Sequence, residues 1–163
     1  MKTLLILRHA KSSWKDTQWD DHDRPLNKRG KHDAPRVGQW IQQRQLQPDL
    51  IISSTAKRAV KTAIRVAREC GCQDVIQQRE SLYLAPPDAC LDELRTLDET
   101  VSRVLLVGHN PGLEQLVALL TGQPVPLPTA ALAHIQLDVA QWCEVNTRTR
   151  GTLIDLWQPR SRA

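Results

Sequence analysis

The sequence predicts an α/β three-layer sandwich with a mostly parallel central sheet, and three observations carry that prediction. Short, continuous apolar runs recur at residues 3–7, 49–52 and 104–107, as expected of strands buried on both faces. Longer stretches with apolar residues at helical spacing separate them. Polar residues collect just after each apolar run, at the sheet edge where open α/β folds place their ligand crevice.

Each element follows in chain order. Thr3-Leu4-Leu5-Ile6-Leu7 reads as the first strand, and residues 30–46 as an amphipathic helix. The run at 49–52 is the second strand. Residues 56–70 form a helix with Ala59, Val60, Ala63, Ile64 and Ala67 on its apolar face and Gly71 as its C-cap. Pro86-Pro87 interrupts the chain and opens a short helix over 88–97. After the strand at 104–107, Asn110-Pro111-Gly112 leads into a helix over 113–120, with Pro111 suited to its first turn. Pro124-Val125-Pro126-Leu127-Pro128 is a stiff extended connector. Alternation at Ala133, Ile135, Leu137 and Val139 predicts a strand over 133–139, and 152–157 another; both are expected toward an edge of the sheet, with a frayed tail at 158–163.

With 163 residues, 40% hydrophobic and 25% charged, the chain is expected to form a single domain over 1–163, its core aliphatic because it has no Phe and one Met. No apolar run approaches the roughly 18 residues of a membrane span. The N-terminal apolar run is interrupted by Arg8 and reads as a strand rather than a leader. Cys70, Cys72, Cys90 and Cys143 show no ligand spacing, which predicts free thiols, a cytoplasmic protein and no metal site. The net charge of +4 resides in residues 1–36, which hold nine Lys/Arg and five Asp. A local anion site explains that excess better than a nucleic-acid surface. No P-loop or GxGxxG occurs, and no cofactor is expected.

The chemistry gathers at the strand ends. The first strand delivers Arg8-His9, the second Ser53-Ser54 and a helix carrying Lys57 and Arg58, the third Gly108-His109. Guanidiniums donate paired, charge-assisted hydrogen bonds to phosphate, and imidazole serves as nucleophile or acid.

At these residues the sequence resembles the histidine phosphatase superfamily, specifically SixA-type phosphohistidine phosphatases. Leu7-Arg8-His9-Ala10-Lys11 stands at the Arg-His signature, with Ala10 where Gly is usual; Asp23-Arg24-Pro25-Leu26-Asn27 with Arg29-Gly30 resembles the RPL segment. Ser53-Ser54 through Arg58-Ala59 and Thr62 matches the S(S/P)xxxRAxxT element, and Val107-Gly108-His109-Asn110-Pro111 the second histidine. The resemblance implies a phosphoglycerate-mutase-like fold in which His9 is the phosphate-accepting nucleophile, Arg8 and Arg58 bind the phosphoryl group, His109 stabilises its charge, and Arg24 joins them. It implies a metal-independent phosphatase whose partner is a phosphohistidine-bearing protein or a small phosphorylated compound. A broad phosphomonoesterase and a non-catalytic phosphate-binding module are the alternatives. Larger relatives use a Glu or Asp as leaving-group acid; Glu80 and Asp88 lie in the corresponding region without a recognisable motif, so no acid is assigned. His22, His32 and His134 are read as structural, and Arg24 also has Asp20, Asp21 and Asp23 as ordinary ion-pair partners. Trp14 and Trp19 lie in a polar loop and are expected to fold back as its own small core.

Overall fold

The computed structural model describes residues 1–159, so residues 160–163 of the expected frayed tail lie outside the described residues. The elements are β1 (Lys2–Arg8), α1 (Lys28–Gln43), β2 (Leu50–Ser54), α2 (Lys57–Cys70), β3 (Ile76–Arg79), α3 (Pro87–Arg95), β4 (Arg103–Gly108), α4 (Gly112–Thr121), β5 (Leu132–Leu137) and β6 (Gly151–Trp157). The strands form one sheet in the order β3-β2-β4-β1-β5-β6. The pairs from β3 through β1 are parallel; β5 and β6 join antiparallel.

Period-two alternation along the central strands explains their continuous apolar runs. Leu4 and Ile6 of β1, with Ile52, Val104 and Leu106, face the layer of α3 and α4. Leu5 and Leu7, with Ile51, Leu105 and Val107, face α1 and α2. Every side chain from Leu4 to Leu7 is fully buried, each contributing about 1.5–3 kcal/mol relative to exposure. A strand sandwiched between two helical layers has no polar face to show, hence the absence of alternation in its sequence.

The helices begin and end for local reasons. Asn27 caps α1 by accepting from the Gly30 N–H at 2.9 Å. Gly71 closes α2 at φ 73°, its N–H bonded to the Ala67 carbonyl, as its sequence position predicts. Pro111 stands just before α4 at its N-cap, one place earlier than the sequence indicates.

Differences from expectation lie at the margins. β3 escapes the sequence pattern because Gln77 and Gln78 are exposed on an edge strand that has little to bury. The strand expected over 133–139 runs Leu132–Leu137 and lies between β1 and β6, so of the last two strands β6 forms the sheet edge and β5 lies one place in from it. No helix among the described residues is long and apolar enough to cross a membrane.

Candidate active site

The C-terminal ends of β1, β2 and β4 open on one side of the sheet, and strand register sets what meets there. Arg8 of β1 pairs with Gly108 of β4, so the next residues of the two strands, His9 and His109, emerge side by side. The His9 N–H bonds to the Gly108 carbonyl at 3.1 Å, and the two ring centroids are 5.2 Å apart. Both residues are buried. β2 leads directly into α2, whose second residue is Arg58, so that guanidinium arrives in the helix's first turn. Thr62, one turn on, accepts from the Ala10 N–H at 3.0 Å and donates to the Arg58 carbonyl at 2.7 Å, tying the loop after β1 to α2.

Hydrogen bonding fixes the state of each imidazole. His9 Nδ1 lies 2.8 Å from the Ala10 carbonyl, an acceptor only, so Nδ1 carries the proton and Nε2 keeps a lone pair. Arg58 Nε lies 3.4 Å from that Nε2 and donates a long hydrogen bond to it. His109 Nδ1 faces the Arg58 Nη2 donor at 3.5 Å and is therefore the acceptor nitrogen. Its Nε2–H donates to Ser54 Oγ at 2.7 Å. Burial is the larger cause pushing His9 down to about 4, with Arg58, Arg8 and Arg24 adding to it and the Ala10 bond opposing. His109 is pushed down to about 3, first by burial, then by His9 and Arg58. Both rings are neutral near pH 7.

A cavity of about 190 Å³ lies against these groups, lined by Arg8, His9, Arg24, Arg58 and His109 among others. All five residues expected from the sequence are thus brought together. Arg8 donates from Nη1 to the Leu127 carbonyl at 3.1 Å, and its Nε is buried without a partner among the described residues. The proline-rich connector is therefore more than a linker, since Leu127 orients Arg8 and also accepts from Asn110 Nδ2 at 2.8 Å. Arg24 donates to Ser12 Oγ at 2.6 Å and pairs with Asp21 at 3.1 Å, while Trp14 stacks 3.5 Å from its guanidinium carbon.

Such an arrangement suits a tetrahedral dianion beside an imidazole nucleophile. Its donors are fixed in advance, and His9 Nε2 holds a lone pair instead of a proton. Among the described residues no cluster of three or more His, Cys, Asp or Glu side chains is arranged to hold a metal ion.

The chain matches the profile of the histidine phosphatase superfamily (branch 1) over residues 4–82. A protein of Agrobacterium tumefaciens designated phosphohistidine phosphatase SixA is 32% identical, with TM-score 0.81, over 98% of this chain and 99% of its own. This chain belongs to the histidine phosphatase superfamily. An uncharacterized chloroplastic protein of Arabidopsis thaliana is 33% identical over 154 residues, 88% of this chain and 70% of that protein. A protein histidine phosphatase SixA complexed with tungstate, 22% identical at TM-score 0.82 over 96% of each chain, shares the fold. Membership of this superfamily and the likeness to that SixA protein support phosphatase activity.

Sequence reasoning missed two residues of the histidine phosphatase site. Asp21, in a 3-10 turn at Asp21–Asp23, accepts from Arg58 Nη2 at 2.9 Å and from Tyr83 Oη at 2.5 Å, besides pairing with Arg24. Partial burial opposes its ionisation, but hydrogen bonds from Tyr83 and Arg58 and the charge of Arg58 hold it well below the usual carboxylate range. Tyr83 also meets the His109 ring edge-on, centroids 5.5 Å apart. The run Asp20-Asp21-His22-Asp23 carries the only sequence signal, and it reads equally as a solvated acidic turn. Glu80 and Asp88 are exposed and line no part of the cavity.

Proposed function

We propose that the chain is a metal-independent phosphohistidine phosphatase, folded as one catalytic domain, that works through phosphorylated His9. The observation that supports this reading most is the pairing of a fixed tautomer with an acid-free pocket. His9 Nδ1–H is held by Ala10, Nε2 faces the arginines, and no carboxylate lines the cavity.

In the first step the His9 Nε2 lone pair attacks phosphorus, and the P–N bond of the substrate phosphohistidine breaks. The departing imidazole keeps the bond's electron pair and needs only a proton taken up from solvent. Arg8, Arg24 and Arg58 hold the three equatorial oxygens, whose charge spreads in the transition state, while His109 flanks them as a neutral ring. In the second step water attacks phosphorus, the P–Nε2 bond breaks, and inorganic phosphate and neutral His9 are released. An alkoxide leaving group would require a positioned acid. The only carboxylate bonded to these groups among the described residues, Asp21, stays ionised behind the arginines and has no proton to give.

The test is to trap the intermediate and compare leaving groups. Wild type should form an acid-labile, alkali-stable phosphoenzyme that His9→Ala does not form. Phosphohistidine and activated aryl phosphates should turn over much faster than phosphoserine or sugar phosphates. Label on Ser or Cys, or equal rates on phosphoserine and phosphohistidine, would replace this reading with that of a broad phosphomonoesterase. Absence of turnover on every compound would leave a phosphate-binding module.

A further inference from the structure

Next to the phosphoryl cavity, and sharing Lys11, Ser12 and Trp14 with it, lies a wider depression of about 960 Å³. Its walls carry Lys11, Lys15, Lys28 and Arg29 with Trp14 and Trp19, and no Asp or Glu lines it. Arg29 is partly compensated by Asp33 at 3.3 Å, whereas Lys11, Lys15 and Lys28 form no ion pair among the described residues. The two indoles do not form the small core expected of this loop. Trp14 is 71% exposed and Trp19 38%.

The surface is built on a braced floor. Ser12 and Leu26 form an antiparallel bridge, Ser13 N–H bonds to the Pro25 carbonyl at 2.8 Å, and Asn27 N–H to the Lys11 carbonyl at 3.0 Å. A Cβ on Gly30 would run into that same Lys11 carbonyl, so the start of α1 packs directly on the strand-end loop. Three lysines without a paired carboxylate and two exposed tryptophans, side by side on a fixed floor, are the composition of a recognition surface for an acidic, partly apolar partner.

We infer that this depression docks the acidic segment flanking the phosphohistidine of a protein substrate, an inference that rests on the phosphatase reading of the adjoining cavity. The depression is about five times the volume of the phosphoryl cavity, which suits a peptide segment better than the remainder of a small phosphorylated compound. Beyond residue 36 the chain holds equal numbers of Lys/Arg and Asp/Glu, so the basic surface is too local to track a nucleic-acid backbone.

Two short peptides test it, each carrying one histidine phosphorylated with phosphoramidate. One has Asp and Glu beside that histidine and the other Asn and Gln; p-nitrophenyl phosphate serves as a substrate without flanks. Wild type should prefer the acidic peptide by on the order of tenfold in kcat/KM, and the preference should shrink as salt rises from about 0.05 to 0.5 M. The double variant Lys15→Glu, Lys28→Glu should abolish or reverse it and leave p-nitrophenyl phosphate turnover unchanged, which also shows the variant is folded. Equal kcat/KM for the two peptides, with p-nitrophenyl phosphate still hydrolysed, would overturn the docking inference and leave the phosphatase reading intact. Stronger competition from a single-stranded oligonucleotide than from the unphosphorylated acidic peptide would overturn it in favour of nucleic acid. No turnover of any substrate would overturn both.

Discussion

Replacing Arg58 with Gln removes a side chain that touches both imidazoles and also lines the phosphoryl cavity, and its two consequences separate cleanly. The first is electrostatic. Arg58 Nε stands 3.4 Å from His9 Nε2 and its Nη2 3.5 Å from His109 Nδ1, so its charge resists protonation of either ring. Burial is the larger reason that His9 titrates at about 4, and Arg58 is the strongest of the charges that assist it. In Arg58→Gln the His9 titration should therefore rise above 4 yet stop short of the ordinary 6.5, because burial, Arg8 and Arg24 remain. The acid limb of kcat/KM should move with it, since that limb reports the free enzyme's base. The second consequence is loss of a fixed donor to the phosphoryl oxygens, about 2.7–4 kcal/mol, or roughly a hundredfold to a thousandfold on the pH-independent plateau. The assay is kcat/KM for an aryl phosphate against pH, beside NMR titration of the histidine rings over the range in which circular dichroism shows the chain folded. Arg58→Lys should restore the limb without the plateau. A plateau that falls while the limb stays fixed would refute the electrostatic argument, and a wild-type His9 titrating at or above 6.5 would refute the neutral nucleophile.

Asp21→Asn should lower kcat by about tenfold through looser positioning of Arg58, while tightening product inhibition by inorganic phosphate, because two guanidiniums lose their competing anion; unchanged inhibition would separate Asp21 from the site. Stability should fall with pH below neutrality. His9 and His109 titrate near 4 and 3 when folded and near 6.5 when unfolded, so between those values the unfolded chain binds more protons and stability drops as pH falls from 6.5 toward 4. His9 alone accounts for on the order of 3 kcal/mol by pH 4, measurable by urea unfolding at several pH values. Asp21 acts lower: its depressed carboxylate stabilises above the ordinary range near 3.8 and loses that contribution only as pH falls further. Turnover should survive EDTA, and loss of activity restored by added Zn²⁺ or Mg²⁺ would overturn the arginine-only account of phosphoryl stabilisation.

What the sequence reveals is what burial and chain continuity enforce. β1, β2 and β4 have apolar residues on both faces and leave an unbroken run, and the residues that follow them are placed by the strand ends themselves. His9, His109 and Arg58 are legible for that reason. Asp21 and Tyr83 are not, because each sits in or beside a short 3-10 turn and reaches the site only when distant segments close on one another. A carboxylate that braces two arginines has the same local sequence as one facing water. Edge strand β3 is illegible from the opposite cause, having too little buried surface to leave a pattern. The connector through Leu127 shows its stiffness in its prolines and hides its task, since Arg8 and Asn110 donate to the Leu127 main-chain carbonyl and no side chain of the connector takes part in those bonds.

The pairing of Arg8 with Gly108 has a consequence for how the chain can be handled. The histidine pair belongs to no contiguous stretch of sequence: its spacing is a property of two strands whose partners are about a hundred residues apart, and it comes into being only when the middle of the sheet zips together. Contacts of such long range form at a high entropic cost and cooperatively with the core. Turnover of a chromogenic phosphate is then a readout of global folding in its own right. An activity-based denaturation curve should overlay the spectroscopic one, and no excised fragment holding only one of the two histidines should retain a trace of the reaction.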